Sequence, residues 1–283
     1  MNYRHAFHAG NHGDVLKHII LTRVLNYMSA KDKSLAVLDT HAGIGLYDFE
    51  GPQAFKTGEW REGVGKLLNV KLNPEVTVLL APYLEIVKAA NPDGKLQHYP
   101  GSPVFAHKLA RIGDRLVLNE LHPEDRATLA THFQSDKSVR VTGVDANQSA
   151  KAELPFREKR GVVLVDPAFE VTNETEKVAK LVADSLKRMA NVCLLLWYPL
   201  TTQKFADDFC KAVATCKVDA MLRLELQVKA AKEGEGLAGS GLIVINPPWS
   251  LHDEAQIILP ALAKILGQNK KGRATIEWLT PQK

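Results

Sequence analysis

The chain has 283 residues, of which 45% are hydrophobic, and its formal net charge is +4. A chain of this length and apolar content can bury a large α/β core, so it needs neither disulfides nor metals to fold. The three cysteines, Cys193, Cys210 and Cys216, form no CxxC pair and no ladder with histidines, which argues against a disulfide framework or a structural zinc site. No apolar segment approaches the roughly 20 residues of a membrane span, and we expect a cytoplasmic protein that binds no membrane.

The N-terminal segment is rich in histidine. A zinc site formed by His5, His8 and His12 would lack a fourth ligand, so we expect no metal. From residue 13 onward, apolar residues at spacings of three and four predict an amphipathic helix. Lys17 and His18 would lie near the beginning of that helix.

Short, β-branched apolar runs recur between amphipathic stretches and predict eight strands, at 35–38, 115–118, 139–141, 162–165, 192–196, 222–228, 242–245 and 275–278. This alternation is typical of an α/β fold with a mostly parallel sheet covered by helices. Only a short, glycine-rich stretch separates 222–228 from 242–245, so we expect an antiparallel hairpin there.

Glycines follow the first predicted strand, in the segment DTHAGIG that begins at Asp39. Glycines at this place let the backbone approach a nucleotide-like ligand. The dinucleotide fingerprint GxGxxG is not matched, because Asp48 stands where the third glycine belongs. The spacing DxxxGxG resembles motif I of adenosylmethionine-dependent methyltransferases, and the alternative is an ordinary glycine turn.

A long insertion separates the first two predicted strands. More than seventy residues lie between them, whereas a βαβ unit needs about 30 in total. Apolar spacing predicts helices at 59–70 and 75–90. We therefore expect a small helical insertion at 52–98 within a single domain that spans residues 1–283.

Acidic residues follow the next two strands. Glu120 stands at the end of the second strand, where one carboxylate can accept hydrogen bonds from both hydroxyls of a ribose. Asp145 follows the third strand and would accept from the adenine amino group of a cofactor. The alternative for Asp145 is a helix cap or a turn.

The fourth strand ends in Asp166-Pro167-Ala168-Phe169. Amino methyltransferases carry [DNS]-P-P-[YFW] here: the acid and the first proline carbonyl accept hydrogen bonds from the target amine, and the aromatic ring stacks on the base. A rival tetrapeptide, 246–249, reads NPPW and matches the pattern better, but it follows the hairpin near the C-terminus. We therefore assign the catalytic role to Asp166 and expect 246–249 to be a structural turn or a wall of the pocket.

Six segments in this order carry a more specific resemblance: YRHxFHAGNHxDVLKH, DTHAGxG, YPGSP, ELHP, DP[PA][YF] and SGxIVINPPW. Together they resemble the 23S ribosomal RNA (adenine-2030 N6) methyltransferase family over essentially the whole chain. Members of that family have also been linked to catabolism of external DNA. The resemblance implies a Rossmann-like, S-adenosylmethionine-dependent methyltransferase fold, with S-adenosylmethionine as the cofactor.

The resemblance also implies roles for individual residues. Asp166 would accept a hydrogen bond from the target amine, and the substrate base would be contacted by Tyr3, Pro167 and Phe169. The cofactor pocket would be lined by Lys17 or His18, His41, Gly43, Ser102, Glu120, Asp145, Ala146 and Asp166. Three residues depart from the family pattern, Ala146, Ala168 and Phe169, and we expect them to weaken or retune catalysis at most.

The expected partner is 23S ribosomal RNA before full ribosome assembly, because a target adenine must leave its stack before methylation. We expect a monomer. Candidate RNA contacts are Tyr3, Arg4, His5, His8, Lys17 and Arg23 near the N-terminus, Lys56, Arg61, Lys66 and Lys71 in the insertion, and residues 229–232. These charges could also be ordinary solvated surface. The alternative functions are a DNA adenine methyltransferase and a binding protein for external DNA with a degenerate site, and a nuclease ranks last.

Overall fold

The computed structural model describes residues 4–234 and 236–281. Tyr3, the predicted substrate contact, lies outside these ranges. The strands within them are β1 (Ala36–Asp39), β2 (Leu46–Asp48), β3 (His98–Pro100), β4 (Arg115–Asn119), β5 (Val139–Thr142), β6 (Gly161–Val165), β7 (Cys193–Leu200), β8 (Met221–Gln227), β9 (Gly239–Ile245) and β10 (Arg273–Thr280). The α-helices are α1 (His12–Ser29), α2 (Pro52–Thr57), α3 (Val64–Leu68), α4 (Pro74–Ala89), α5 (Ser102–Leu109), α6 (Pro123–His132), α7 (Ala146–Glu153), α8 (Glu174–Arg188), α9 (Gln203–Ala214) and α10 (Leu251–Leu266).

Eight strands form one mixed sheet in the order β10-β8-β9-β7-β6-β1-β4-β5. The five strands from β7 to β5 pair in parallel, while β9 pairs antiparallel with β7 and β8, and β10 pairs antiparallel with β8. All eight predicted strands and the antiparallel hairpin are confirmed. The carboxyl ends of β1, β4, β5 and β6 therefore meet at one edge of the sheet, which is where open α/β sheets bind ligands.

Helices cover both faces of this sheet, so its central strands are buried throughout. On one face α1 packs against α4, α5, α10 and strands β7 to β9. On the other face α7, α8 and α9 pack side by side. Because α1 is covered on nearly all sides, it buries polar side chains as well as apolar ones, among them Asp14, Lys17 and His18.

The insertion differs in part from its prediction. The predicted helix 75–90 is present as α4, but the predicted helix 59–70 is divided into a 3-10 turn, Glu59–Arg61, and α3. The division falls at Gly63, where a Cβ atom would stand only 2.0 Å from the carbonyl oxygen of Gly10. The close approach of the N-terminal backbone therefore interrupts the helix. The sequence reading also missed α2 and the two-stranded ribbon of β2 and β3, which brackets the insertion.

The rival tetrapeptide 246–249 lies at the opposite edge of the sheet from the ends of β1 and β6. Ile245, the last residue of β9, pairs with Leu194 near the beginning of β7. The side-chain amide of Asn246 donates to the carbonyls of Ala190 and Val192, at 2.8 and 2.9 Å. The segment is a structural turn, as one of the two readings predicted.

Candidate active site

A cavity of about 300 Å³ opens where β1, β4, β5 and β6 end. Residues from all four strand ends line it, so the sheet itself brings together side chains that are far apart in sequence. The predicted site residues among its lining are His41, Gly43, Glu120, Asp145, Ala146, Asp166 and Pro167.

The glycine loop after β1 is tied to the end of β4. The Gly43 N–H donates to one carboxylate oxygen of Glu120 at 2.8 Å, and the His122 N–H donates to the other at 2.8 Å. Each oxygen has a second lone pair, so the oriented carboxylate can still accept from two ribose hydroxyls. Gly43 has φ +62°, and a Cβ atom there would lie 2.2 Å from the Tyr47 hydroxyl. Only glycine fits this loop without displacing Tyr47.

Asn119, which the sequence reading missed, holds three strand ends together. Its amide donates to the carbonyls of Thr40 and Val144, at 3.1 and 2.9 Å. Its carbonyl accepts from the Thr142 hydroxyl and the Val144 N–H, at 2.9 and 3.1 Å. The signal that would have identified it is an asparagine at the end of an apolar strand, directly before Glu120, because a polar residue buried there needs hydrogen-bond partners.

Asp145 caps a helix, as one of the two interpretations predicted, and it also lies at the cavity. Its Oδ1 atom caps α7 by accepting from the Asn147 N–H at 2.9 Å, and the residue also lines the cavity. Leu121 and Val144 line the same cavity with 49% and 39% of their surface exposed. Two apolar walls beside two carboxylates suit a nucleoside that has a flat base and a ribose, which is the form of S-adenosylmethionine at its adenosine end.

Asp166 follows β6 and is held by Lys17, whose Nζ lies 2.5 Å from Asp166 Oδ2 and 2.9 Å from Asp14 Oδ1. Burial would raise the pKa of Asp14, but the charges of His5 and Lys17 hold it well below its usual range. Burial likewise opposes protonation of Lys17, but the two carboxylates raise its pKa. The lysine is therefore a permanent cation that bridges two anions.

His41 lies on the other side of Asp166. Its Nδ1 atom is 2.9 Å from the Thr40 hydroxyl and accepts from the Asp166 backbone N–H at 3.3 Å. Burial lowers the pKa of His41 to about 4, so its imidazole is neutral at pH 7. Burial also raises the pKa of Asp39 to about 6.

A second cavity of about 570 Å³ meets the first at Asp166. Its walls come from α1, the insertion, β7 and the β8–β9 loop, which contribute Lys17, Glu59, Trp197 and Lys229 respectively. His5, Asp166 and Ala168 line both cavities. The site thus has two chambers that share one carboxylate, as a transfer between two bound molecules requires.

Comparison with known proteins decides the family. The family model described as "Ribosomal RNA large subunit methyltransferase D, RlmJ" matches residues 32–280. Relatives named "Ribosomal RNA large subunit methyltransferase J" are 39% identical in Haemophilus influenzae and 37% identical in Escherichia coli, each covering all of both chains. The chain belongs to this methyltransferase family. A crystal structure of a Legionella pneumophila protein, 32% identical, has a TM-score of 0.86 over 96% of this chain and 98% of that one.

The chain is accordingly an S-adenosylmethionine-dependent methyltransferase with the predicted Rossmann-like fold. No group of three or more His, Cys, Asp or Glu side chains in the described ranges could hold a metal ion. Of the helices within residues 4–234 and 236–281, none is long and apolar enough to cross a membrane.

Four predicted positions in this methyltransferase lie away from the first cavity. Lys17 lines the second cavity instead. His18 is buried against α5, with Nδ1 2.9 Å from the Tyr99 hydroxyl and its ring stacked on Phe105. Ser102 is buried as the first residue of α5. Phe169 has φ +53° and packs edge-on against Phe205 and Phe209, and it is among the lining residues of neither cavity.

Carboxylates compensate the cations near the N-terminus of the methyltransferase. Arg4 pairs with Glu124 and Asp125, while Arg23 makes two 2.8 Å hydrogen bonds with Glu254. The other described members of the predicted N-terminal patch also pair with acids: His5 with Asp14, His8 with Glu59, and Lys17 with Asp14 and Asp166. This surface is less cationic than the sequence suggested.

Proposed function

We propose that this chain transfers a methyl group from S-adenosylmethionine to the N6 amine of an adenine in 23S ribosomal RNA, before ribosome assembly is complete. The observation that carries the proposal is the meeting of two cavities at Asp166. The names of the two relatives, which are ribosomal RNA large subunit methyltransferases, support RNA as the acceptor.

The first cavity fits the cofactor, which supplies the methyl group on a sulfonium when it is bound. Glu120 would accept from the ribose hydroxyls, since its carboxylate is already oriented by two backbone N–H groups. Leu121 and Val144 would enclose the adenine ring, and Asp145 would accept from its amino group. Gly43, which lines this cavity and has no side chain, would let the loop backbone approach the amino-acid end of the cofactor.

The second cavity would receive the acceptor base. An exocyclic amine is a weak nucleophile because its lone pair is delocalised into the ring, so its orientation matters. Asp166 and the carbonyl of Pro167 would accept hydrogen bonds from the two amine hydrogens and direct the lone pair toward the first cavity. Lys17 donates to Oδ2 of Asp166 and so fixes the orientation of the carboxylate that would accept from the amine.

An adenine that enters this cavity must leave its stack, at a cost of a few kcal/mol. Protein-free RNA offers that freedom more readily than a mature ribosome does. One chain lines both cavities, which supports a monomer as the active form.

The test compares methyl transfer to protein-free 23S ribosomal RNA and to DNA, with the wild type beside Asp166→Ala. We expect label on RNA only, and loss of label in the variant. Transfer to DNA alone would replace the proposal by a DNA adenine methyltransferase. Cofactor binding without transfer to either would favour a nucleic-acid-binding protein with a degenerate site.

A further inference from the structure

An exposed aromatic residue and two exposed cations belong to the segment of the insertion that also lines the second cavity. Phe55 on α2 is 67% exposed, and its neighbours Lys56 and Arg61 are also exposed. We call Phe55, Lys56 and Arg61 the rim patch. Gly58, one helical turn after Phe55, lines the second cavity, and so do Thr57 and Glu59. The patch therefore adjoins the chamber that ends at Asp166.

Contacts with the N-terminal segment and with Trp60 fix the position of the rim patch. The Thr57 hydroxyl donates to the carbonyl of Phe7 at 2.5 Å, which fixes the end of α2 to the N-terminal segment. The Arg61 guanidinium lies 4.8 Å from the centre of the Trp60 ring, and Trp60 stacks on Phe49 at 4.6 Å. A Cβ atom at Gly58 would lie 2.2 Å from Arg61 Nη1, so the guanidinium stands directly over the cavity-lining glycine.

The charges of the patch are not compensated in the way that those near the N-terminus are. Among the described residues, no carboxylate lies within ion-pair distance of Lys56 or Arg61, whereas the nearby Lys66 pairs with Glu62 at 3.4 Å. A protein partner would need a contiguous apolar surface, but this patch has a single exposed ring and two cations. A ring for stacking with cations for phosphates is the combination that single-stranded nucleic acid requires.

We propose that the rim patch binds the single-stranded RNA that flanks the target adenine: Phe55 stacks on an unpaired neighbouring base, and Lys56 and Arg61 contact phosphates. This inference rests on the proposed function. It adds a platform outside the acceptor cavity that holds the strand while the target base occupies the cavity.

The first test measures KM for protein-free 23S ribosomal RNA, kcat and S-adenosylmethionine affinity in Phe55→Ala. We expect KM to rise about 5- to 100-fold, because base–aromatic stacking has that strength. The value of kcat at saturating RNA and the cofactor affinity should stay within twofold of wild type. Phe55→Tyr, which keeps the ring, should restore KM. Val78→Ala is the matched control, since Val78 is a 71% exposed apolar residue on α4 of the same insertion.

The second test measures how RNA binding depends on salt. Each protein cation that contacts a phosphate of a single strand contributes about 0.7 to the slope of log affinity against log salt concentration, so removing that cation reduces the slope by about 0.7. Lys56→Gln and Arg61→Gln should each show such a reduction, and Lys88→Gln, at an exposed lysine on α4, should not. A wild type that methylates no RNA would overturn the proposed function itself. A wild type that methylates RNA, with KM unchanged in Phe55→Ala, would overturn the rim patch alone.

Discussion

The ammonium of Lys17 donates to the carboxylate of Asp166 across 2.5 Å and so joins the N-terminal helix to the end of β6. The two residues are 149 positions apart. A buried charge pair of this kind is costly to break, because the partner left behind stays buried and unpaired. The carboxylate to which we assign the catalytic role therefore depends on a helix that precedes the first strand of the sheet.

Replacing Lys17 by Met should lower kcat about tenfold or more, because Asp166 loses the charged hydrogen-bond donor that orients its carboxylate. Affinity for S-adenosylmethionine should change little, since Lys17 does not line the first cavity. Single-turnover methylation and calorimetric titration of the cofactor measure the two quantities. Equal loss of cofactor binding and of activity would mean that Lys17 belongs to the cofactor site.

Asp14 should act as a positioning residue through Lys17. It is buried and accepts from Lys17, His5 and the Gly10 N–H, at 2.9 to 3.0 Å. Asp14→Asn should reduce kcat about tenfold in the wild-type background, and far less in a Lys17→Met background. If the fold-reductions in kcat of the two single variants multiply in the double variant instead, Asp14 does not act through Lys17. Melting temperatures of all four proteins separate this coupling from a general loss of stability.

Gly43→Ala should weaken cofactor binding about tenfold or more. The added Cβ meets the Tyr47 hydroxyl at 2.2 Å, and the positive φ costs a further 1–2 kcal/mol, roughly. Removing the hydroxyl in the double variant Gly43→Ala/Tyr47→Phe should recover part of the affinity, because the next ring atom is 3.5 Å away. Titration of S-adenosylmethionine checks this. No recovery would assign the whole defect to backbone strain.

Acidification should destabilise the fold through buried histidines. Burial lowers the pKa of His12 and of His41 to about 4. When folding lowers the pKa of a histidine, the free energy of unfolding of the protein decreases as pH falls from about 6.5 to about 4. The reason is that the unfolded chain takes up the proton at a higher pH than the folded chain does. The loss at pH 5 is about 1–2 kcal/mol for each. Asp39 offsets about 1 kcal/mol of this loss of stability at pH 5. Its pKa is raised to about 6 in the folded protein, so protonation of Asp39 stabilises the folded form.

Urea unfolding at pH 7 and pH 5 measures this difference. His41→Asn should reduce the loss of stability between the two pH values. An unchanged loss in that variant would show that His41 is protonated equally in the folded and unfolded chains.

Much of this architecture could be predicted because its signals are local. The buried strands are uninterrupted apolar runs, and Glu120 and Asp166 each follow one of them directly. The order of strands places such residues at one edge. The same reasoning selected Asp166 over Asn246, and the opposite location of Asn246 at the far edge of the sheet agrees with that choice.

What could not be predicted depends on long-range packing. The predicted insertion helix is divided because the backbone of Gly10 approaches Gly63 closely. The spacing of apolar residues within the insertion does not indicate this contact with a distant segment. The pairing of Arg4 with Glu124 and Asp125 likewise joins residues about 120 positions apart. The second cavity was missed for the same reason, because α1, the insertion and the β8–β9 loop each contribute only part of its wall.

Transfer to the adenine N6 amine is tested most directly by nucleoside analysis of protein-free 23S ribosomal RNA after incubation with the wild-type protein and labelled S-adenosylmethionine. We expect the label to elute as N6-methyladenosine, at one site in the RNA, and Asp166→Ala to yield none. Label in another nucleoside, on a ribose, or undiminished in the variant would contradict an adenine N6 transfer that depends on Asp166.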